Sequence, residues 1–384
     1  MSIISPSLVE SASSRLADML RDIQKLVEVE SFSSDLEAVA RGAEAVSEVI
    51  SQRLGATVEI LQVDGVTHLR LRFGAGNPKV VILTHQDTVW PLGTLERIPF
   101  SNDGSKLRGP GSLDMQTGVV MAVHATAMLQ ELGVDLDGLC ILVTGDEEVG
   151  STTSQELILS ESQNATAVFV TEGAFETSLK IARKGTSDYV VAVKGRAAHA
   201  GLEPEQGINA GLALALLVPK IAGMSDPDQG TTVTPTVIKA GTTPNTVPAS
   251  AQVTVDVRTP TREEQDRVDA EMRQLVSPLP GATVTVLGGV NRPPMERSTG
   301  ADLLTQAQTI AETLGIEPFE GVGVGGASDG NFTAAQGIPT LDGMGACGAG
   351  AHADHEHALV EYIAPRTALL AAMVATQLEI RDTE

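Results

Sequence analysis

Three short runs in the first half of the chain, KVVILT (79–84), LCILVT (139–144) and AVFVT (167–171), are apolar at nearly every position and rich in β-branched residues. A strand with one face in water alternates apolar and polar side chains, so strands apolar throughout must be covered on both faces. The stretches between them, GVVMAVHATAMLQELG (118–133) and TSQELILSES, read as helices. Strand, helix, strand, helix, strand predicts an α/β fold with a mainly parallel sheet flanked by helices. Sheets of this kind hold their ligands in the crevice beyond the carboxyl ends of the strands.

Two amphipathic helices are expected upstream, over 7–28 and 34–53. The pattern changes between 181 and 291. DYVVAVKG reads as strand, GINAGLALALLVPKIAGM as helix, TVTPTVIKAG and AQVTVDVR as strands, REEQDRVDAEMRQLVS as helix and ATVTVLGGV as strand. Thr261 with Glu264 suits a capping box at the start of the second helix. The order β-α-β-β-α-β is that of a ferredoxin-like domain. From NRPPMERS the α/β character returns, with a helix over 300–313, glycine-dense loops at 321–330 and 343–351, and a last helix near 363–379. The expectation is a large domain of residues 1–180 and 292–384 with a ferredoxin-like domain, 181–291, inserted in it.

At 384 residues the chain exceeds what one hydrophobic core usually serves, in keeping with two domains. A formal charge of −23 disfavours nucleic acid and anionic membrane surfaces, and aromatic content of 3% leaves few stacking platforms. Cys140 and Cys347 form neither a disulfide framework nor a CxxC site. The N-terminal segment lacks the pattern of a signal peptide and no run is long enough to span a membrane, so a cytoplasmic protein is expected.

The strand ends carry the chemistry. His85 and Asp87 follow the first apolar run directly, in HQDTV. A metal-bound histidine commonly gives its second ring N–H to a carboxylate, so His-x-Asp can be a ligand and its orienter; in most proteins the same triplet is only a loop histidine beside a turn aspartate. Asp114, in GPGSLDMQTG, precedes a helix and also suits an N-cap. Glu147 and Glu148 end the second run and Glu172 the third. So many carboxylates in one crevice repel each other by several kcal/mol at low dielectric unless cations sit among them. Mixed histidine and carboxylate ligands suit Zn²⁺, and two such ions bridged by a carboxylate form a hydrolytic site, with Asp114 as the expected bridge. His352, His355 and His357 cluster near the C-terminus. The last two fit an exposed polar loop equally well, whereas His352 follows Gly348-Ala-Gly350-Ala, which lets a side chain reach into a crevice.

HQDTV, GSLDMQTG, GDEEVG, FVTEG, GRAAHAG and GAGAHADHE, in that order, resemble the two-zinc metallopeptidase and aminoacylase family, which includes glutamate carboxypeptidase, acetylornithine deacetylase and succinyl-diaminopimelate desuccinylase. The resemblance spans about residues 20–375 and implies His85 and Glu172 on one zinc, Glu148 and His352 on the other, and Asp114 on both, with Co²⁺ or Mn²⁺ as substitutes. It implies Glu147 as general base and Asp87 as the orienter of His85. It further implies a homodimer through the inserted lid domain, which carries His199 to the partner's site beside Asn245, and Arg258 as the group that binds a substrate carboxylate. Gln116 and Thr117 depart from the lysine and glycine of many relatives.

RKGTSDYVVAVKGRAAHAGLEPEQGINA resembles glutamate carboxypeptidase most. The implied activity is release of a C-terminal acidic amino acid from an N-acyl or peptidyl substrate, with deacylation of an N-acyl amino acid as the alternative. GASDG (326–330) also matches the G-x-S-x-G elbow of serine hydrolases, with Ser328 as nucleophile, but no expected strand precedes it and 24 residues from Ser328 to His352 is cramped for that fold, so this is a distant alternative. The nominal GxGxxG of Gly321, Gly323 and Gly326 follows no expected strand, which disfavours a dinucleotide site.

Overall fold

The computed structural model describes residues 4–379. The chain forms two compact units, one made of residues up to 182, 297–323 and from 328 on, the other of 183–296 and 324–327. Among the described residues no helix is long and apolar enough to cross a membrane.

The larger unit is built on a six-stranded sheet in the order Glu59–Val63, Val66–Arg72, Leu139–Thr144, Val80–His85, Ala167–Val170, Thr340–Leu341. The last four run parallel, while the hairpin strand Val66–Arg72 is antiparallel to Leu139–Thr144. Every residue of Val80–His85, Leu139–Thr144 and Ala167–Val170 is buried. Alternate side chains explain why: Ile82, Ile141 and Phe169 share a core with the helix Thr117–Glu131, and Val81, Leu83 and Val168 share another with Ile158 of the helix Gln155–Ser162. The chain leaves Val80–His85 to form the neighbour on one side and then returns to form the neighbour on the other. Strand order therefore reverses at this strand, and the crevice opens beyond its carboxyl end.

Two expectations need correction. The helix expected over 7–28 is two helices, Ser7–Ser14 and Leu16–Val27, broken at Arg15. Ser13 and Ser14 turn their hydroxyls back onto the carbonyls of Val9 and Ser11, at 2.8 and 2.7 Å, and so compete with the helical ladder. Residues 321–324 are a strand paired with Leu179–Arg183 rather than part of a loop. The hairpin Glu59–Arg72 was not anticipated, because its first strand is largely exposed and shows no apolar stripe. Its turn, Asp64-Gly65 with φ of 49° and 87°, is the signal that marks it.

The smaller unit is a four-stranded antiparallel sheet in the order Thr232–Ala240, Ser250–Thr259, Gly185–Lys194, Thr283–Arg292. With the helices Ala210–Ala222 and Arg262–Arg273 it follows the ferredoxin-like chain order. Val191, Val193, Val253 and Val255 face Leu214, Leu217, Val268 and Met272, so one side of the sheet is buried under both helices. Thr261 caps the second helix by accepting the Glu264 amide at 3.3 Å. The Glu264 carboxylate is taken instead by Thr231 and Arg267, so only half of the capping box forms.

Candidate metal centre

The three buried strands deliver their ends to one place. His85 is the last residue of its strand and 2% exposed, Glu148 lies in the turn after Leu139–Thr144, and Glu172 lies two residues past Ala167–Val170. Asp114 arrives on the segment that starts the helix Thr117–Glu131, and His352 on a loop near the C-terminus. His85 Nε2 is 3.3 Å from Asp114 Oδ1 and 3.3 Å from Glu172 Oε1. His352 Nε2 is 3.3 Å from Asp114 Oδ2 and 3.1 Å from Glu148 Oε1. Asp114 thus offers one oxygen to each histidine. His352 adopts φ of 62°, in the left-handed region, a backbone cost met to aim its ring at the crevice.

Three overlapping triads, His85/Asp114/Glu172, Asp114/Glu148/His352 and His85/Glu147/Glu148, each have ligand atoms within 4.8 Å of one another. His85 Nε2 and Asp114 Oδ1 are buried and neither makes a hydrogen bond of good geometry to a described residue. An imidazole nitrogen and a carboxylate oxygen left facing each other in this way fit a cation between them. Electrostatics point the same way. Burial disfavours charge on His85, yet Asp114, Asp87 and Glu172 outweigh it and lift its pKa well above the ordinary value. Asp114 and Glu148 push His352 up to about 11. Burial opposes ionisation of Asp114, but the two histidines hold it well below the usual carboxylate range; burial lifts Glu148 to about 7, opposed by His352. In the cation-free chain the raised histidine pKa values mark a demand for positive charge among these acids, which bound dications would meet more fully than protons do.

The supports are specific. Asp87 meets the His85 ring with its backbone carbonyl, 3.0 Å from Nδ1, while its carboxylate, 3.5 Å from Nδ1, accepts Ser33 Oγ at 2.7 Å and the amides of Glu147 and Glu148 at 3.2 Å. It therefore orients both the histidine and the acidic turn. Asp146 braces that turn, accepting from Thr153 N, Thr153 Oγ1 and Ser154 Oγ at 2.6–2.7 Å. Gly145 is required where it stands, since a Cβ there would meet the Thr67 carbonyl at 2.4 Å. Gln116 donates to the Gln86 carbonyl at 2.6 Å, and Thr117 to the Ser112 carbonyl at 2.6 Å. Sequence reasoning missed Glu356. It is 2% exposed, and its carboxylate accepts from the indole of Trp90 and from the backbone around Asp114. A cleft of about 350 Å³ opens beside Asp114 and Glu172, and Lys180 is the one basic side chain among its described lining.

Residues 81–376 match the family described as peptidase family M20/M25/M40. The chain is 30% identical to carboxypeptidase G2 of Pseudomonas sp. (strain RS-16), across 97% of this chain and 92% of that one. The chain belongs to this family. It is also 27% identical to succinyl-diaminopimelate desuccinylase 1 of Alteromonas mediterranea, over 80% of this chain and 84% of that one. Among solved structures it is similar to a dinuclear metal-binding M20 peptidase of Bacillus subtilis, with a TM-score of 0.63, 15% identity and coverage of 94% of this chain and 99% of the other.

The remaining expected residues of this M20 peptidase lie elsewhere. In the smaller unit the loops of His199 and Asn245 meet, with the Ala200 amide donating to the Asn245 carbonyl at 2.9 Å, and both side chains are exposed. His199 Nδ1 accepts the amides of Gly201 and Leu202 at 3.2 and 3.1 Å, so the ring proton of the neutral imidazole sits on Nε2. Arg258 is half-buried and forked onto Asp256, at 2.8–3.1 Å. His355 is exposed, and His357 Nδ1 lies 2.9 Å from the His355 carbonyl. The distant serine-hydrolase alternative fails on geometry as well. Ser328 is fully buried and donates to Asp342 at 2.6 Å, while His352 is turned toward Asp114 and Glu148.

Proposed function

We propose that this M20 peptidase is a dinuclear metal-dependent carboxypeptidase that releases a C-terminal acidic amino acid from an N-acyl or peptidyl substrate. The observation that carries the reading is the placement of the two Asp114 oxygens, 3.3 Å from His85 and 3.3 Å from His352. His85, Glu172 and Asp114 would hold one Zn²⁺, and Asp114, Glu148 and His352 the other, with Co²⁺ or Mn²⁺ able to replace them. When bound, such ions act as Lewis acids toward the scissile carbonyl and make water a nucleophile near neutral pH. Glu147, buried and beside the ligands, takes the proton from the attacking water and returns it to the leaving amine. His199, with its proton on Nε2, donates to the carbonyl oxygen as charge develops there.

The acidic leaving group is supported by the likeness to carboxypeptidase G2 and by Lys180 in the cleft. Arg258 serves a substrate carboxylate only by exchanging Asp256 for it. We place His199 across a homodimer formed by the smaller unit, whose edge strand Thr232–Ala240 exposes Val237 and Ile238 and whose helix Ala210–Ala222 exposes Leu212 and Leu216. Free, buried Cys140 and Cys347 suit a reducing cytoplasm. The desuccinylase likeness favours a second reading, deacylation of an N-acyl amino acid. The test is turnover of N-acyl-glutamate, N-acyl-aspartate and N-acetyl-ornithine by zinc-loaded protein, with and without chelator. Chelator-sensitive preference for the acidic substrates is expected; preference for N-acetyl-ornithine selects the second reading, and no turnover of any of them refutes both.

A further inference from the structure

Glu356 lies between His355 and His357, neither of which joins a candidate ligand triad, yet its own carboxylate accepts four hydrogen bonds. Oε1 accepts the amides of Leu113 at 2.9 Å and Asp114 at 3.0 Å; Oε2 accepts the amide of Gly111 at 3.0 Å and the indole N–H of Trp90 at 2.8 Å. Four N–H donors fill the capacity of one ionised carboxylate. Three of them belong to the segment that carries Asp114. The backbone of Glu356 is fixed in turn to the His352 loop, its amide donating to Ala353 at 2.8 Å while Ala353 donates to Gly350 at 2.9 Å. Gly350, at φ of 85°, allows the close approach, since a Cβ there would meet the Glu356 nitrogen at 2.9 Å. The chain continues into the strand His357–Leu359, which pairs with Lys106–Arg108 just ahead of the Asp114 segment.

We infer that Glu356 is a positioning residue for the metal centre: its carboxylate ties the backbone of Asp114 to the loop of His352 and so sets the spacing at which two cations share Asp114. Glu356 is in none of the three candidate ligand triads. Its effect passes through the two oxygens of Asp114, one facing each histidine. A neutral amide in its place keeps the volume but presents one acceptor oxygen to four donors, so the Asp114 segment is released. Partners of this kind typically govern metal affinity by about 10–100-fold. The inference rests on the dinuclear reading proposed above.

The experiment is a cobalt titration of metal-free protein, followed by visible absorption, for wild type, Glu356→Gln, Glu356→Asp and Trp90→Phe. Glu356→Gln is expected to weaken both cobalt-binding steps by about 10–100-fold and to change the absorption band of the bound ion. Trp90→Phe removes a donor outside the Asp114 segment and is expected to keep wild-type affinity and spectrum. If Glu356→Gln does not fold, Glu356→Asp is read in its place, with weakened binding expected because the shorter arm cannot span the same four donors. Wild-type cobalt affinity and spectrum in the folded variant, with only a lower melting temperature, overturn the inference and leave Glu356 a structural strut. Failure of wild type itself to bind cobalt refutes the dinuclear reading instead.

Discussion

The strand-end cluster and the four-stranded unit hold their candidate residues by opposite means. In the larger unit His85, Glu148 and Glu172 stand at or just past the ends of strands buried on both faces, and their positions follow from that packing. In the smaller unit His199 and Asn245 are exposed and Arg258 is half-buried, and the side chains of His199 and Arg258 bond to residues two or three positions away. The acids and imidazoles of the cluster, buried or nearly so except for the exposed His352, crowd negative charge that cations would complete. Exposed groups such as these need something that arrives, a substrate or a second subunit, to act in the way proposed above.

That contrast can be broken at several points. The largest expected effect is on chemistry within the cluster: Glu147→Gln lowers kcat by about 10²–10⁴-fold while metal content, measured on the purified protein, stays at the wild-type level. His199→Ala, in the other unit, is expected to lower kcat by about 10²–10³-fold, again with metal content unchanged; loss of metal in this variant merges what the contrast separates. Metal uptake should depend on pH in a defined sense. With His352 pushed up to about 11 in the cation-free chain, a proton must leave as the ion binds, so zinc affinity rises with pH, by up to about tenfold per unit for each proton displaced. The same shift contributes stability to the cation-free fold that is fully present below the ordinary histidine pKa and lost as pH rises toward about 11, which thermal melts in chelator across that window will show. The smallest effect belongs to the smaller unit: Thr261→Ala removes a helix cap and should cost about 1 kcal/mol in denaturant unfolding with no change in metal content.

The catalytic half of the fold was legible because strands buried on both faces leave a pattern that few other structures share, and their ends named His85, Glu148 and Glu172. Glu356 was not, because its role lies in contacts to residues 242–245 positions away in sequence and nothing local distinguishes it from its exposed neighbours. Asp87 was legible only in part. A His-x-Asp pattern points to the carboxylate, whereas the nearer contact to the ring comes from the backbone carbonyl and the carboxylate holds the amides of Glu147 and Glu148. The G-x-S-x-G match at Ser328 carries little because the pattern records spacing and not burial.

The claim at the centre of the account is that one aspartate serves two cations, and the zinc content of dialysed wild type, Glu172→Gln and Asp114→Asn tests it most directly. Wild type is expected to keep two zinc ions per chain, Glu172→Gln to lose one, and Asp114→Asn to lose both. An Asp114→Asn protein that keeps either ion at wild-type affinity contradicts the account.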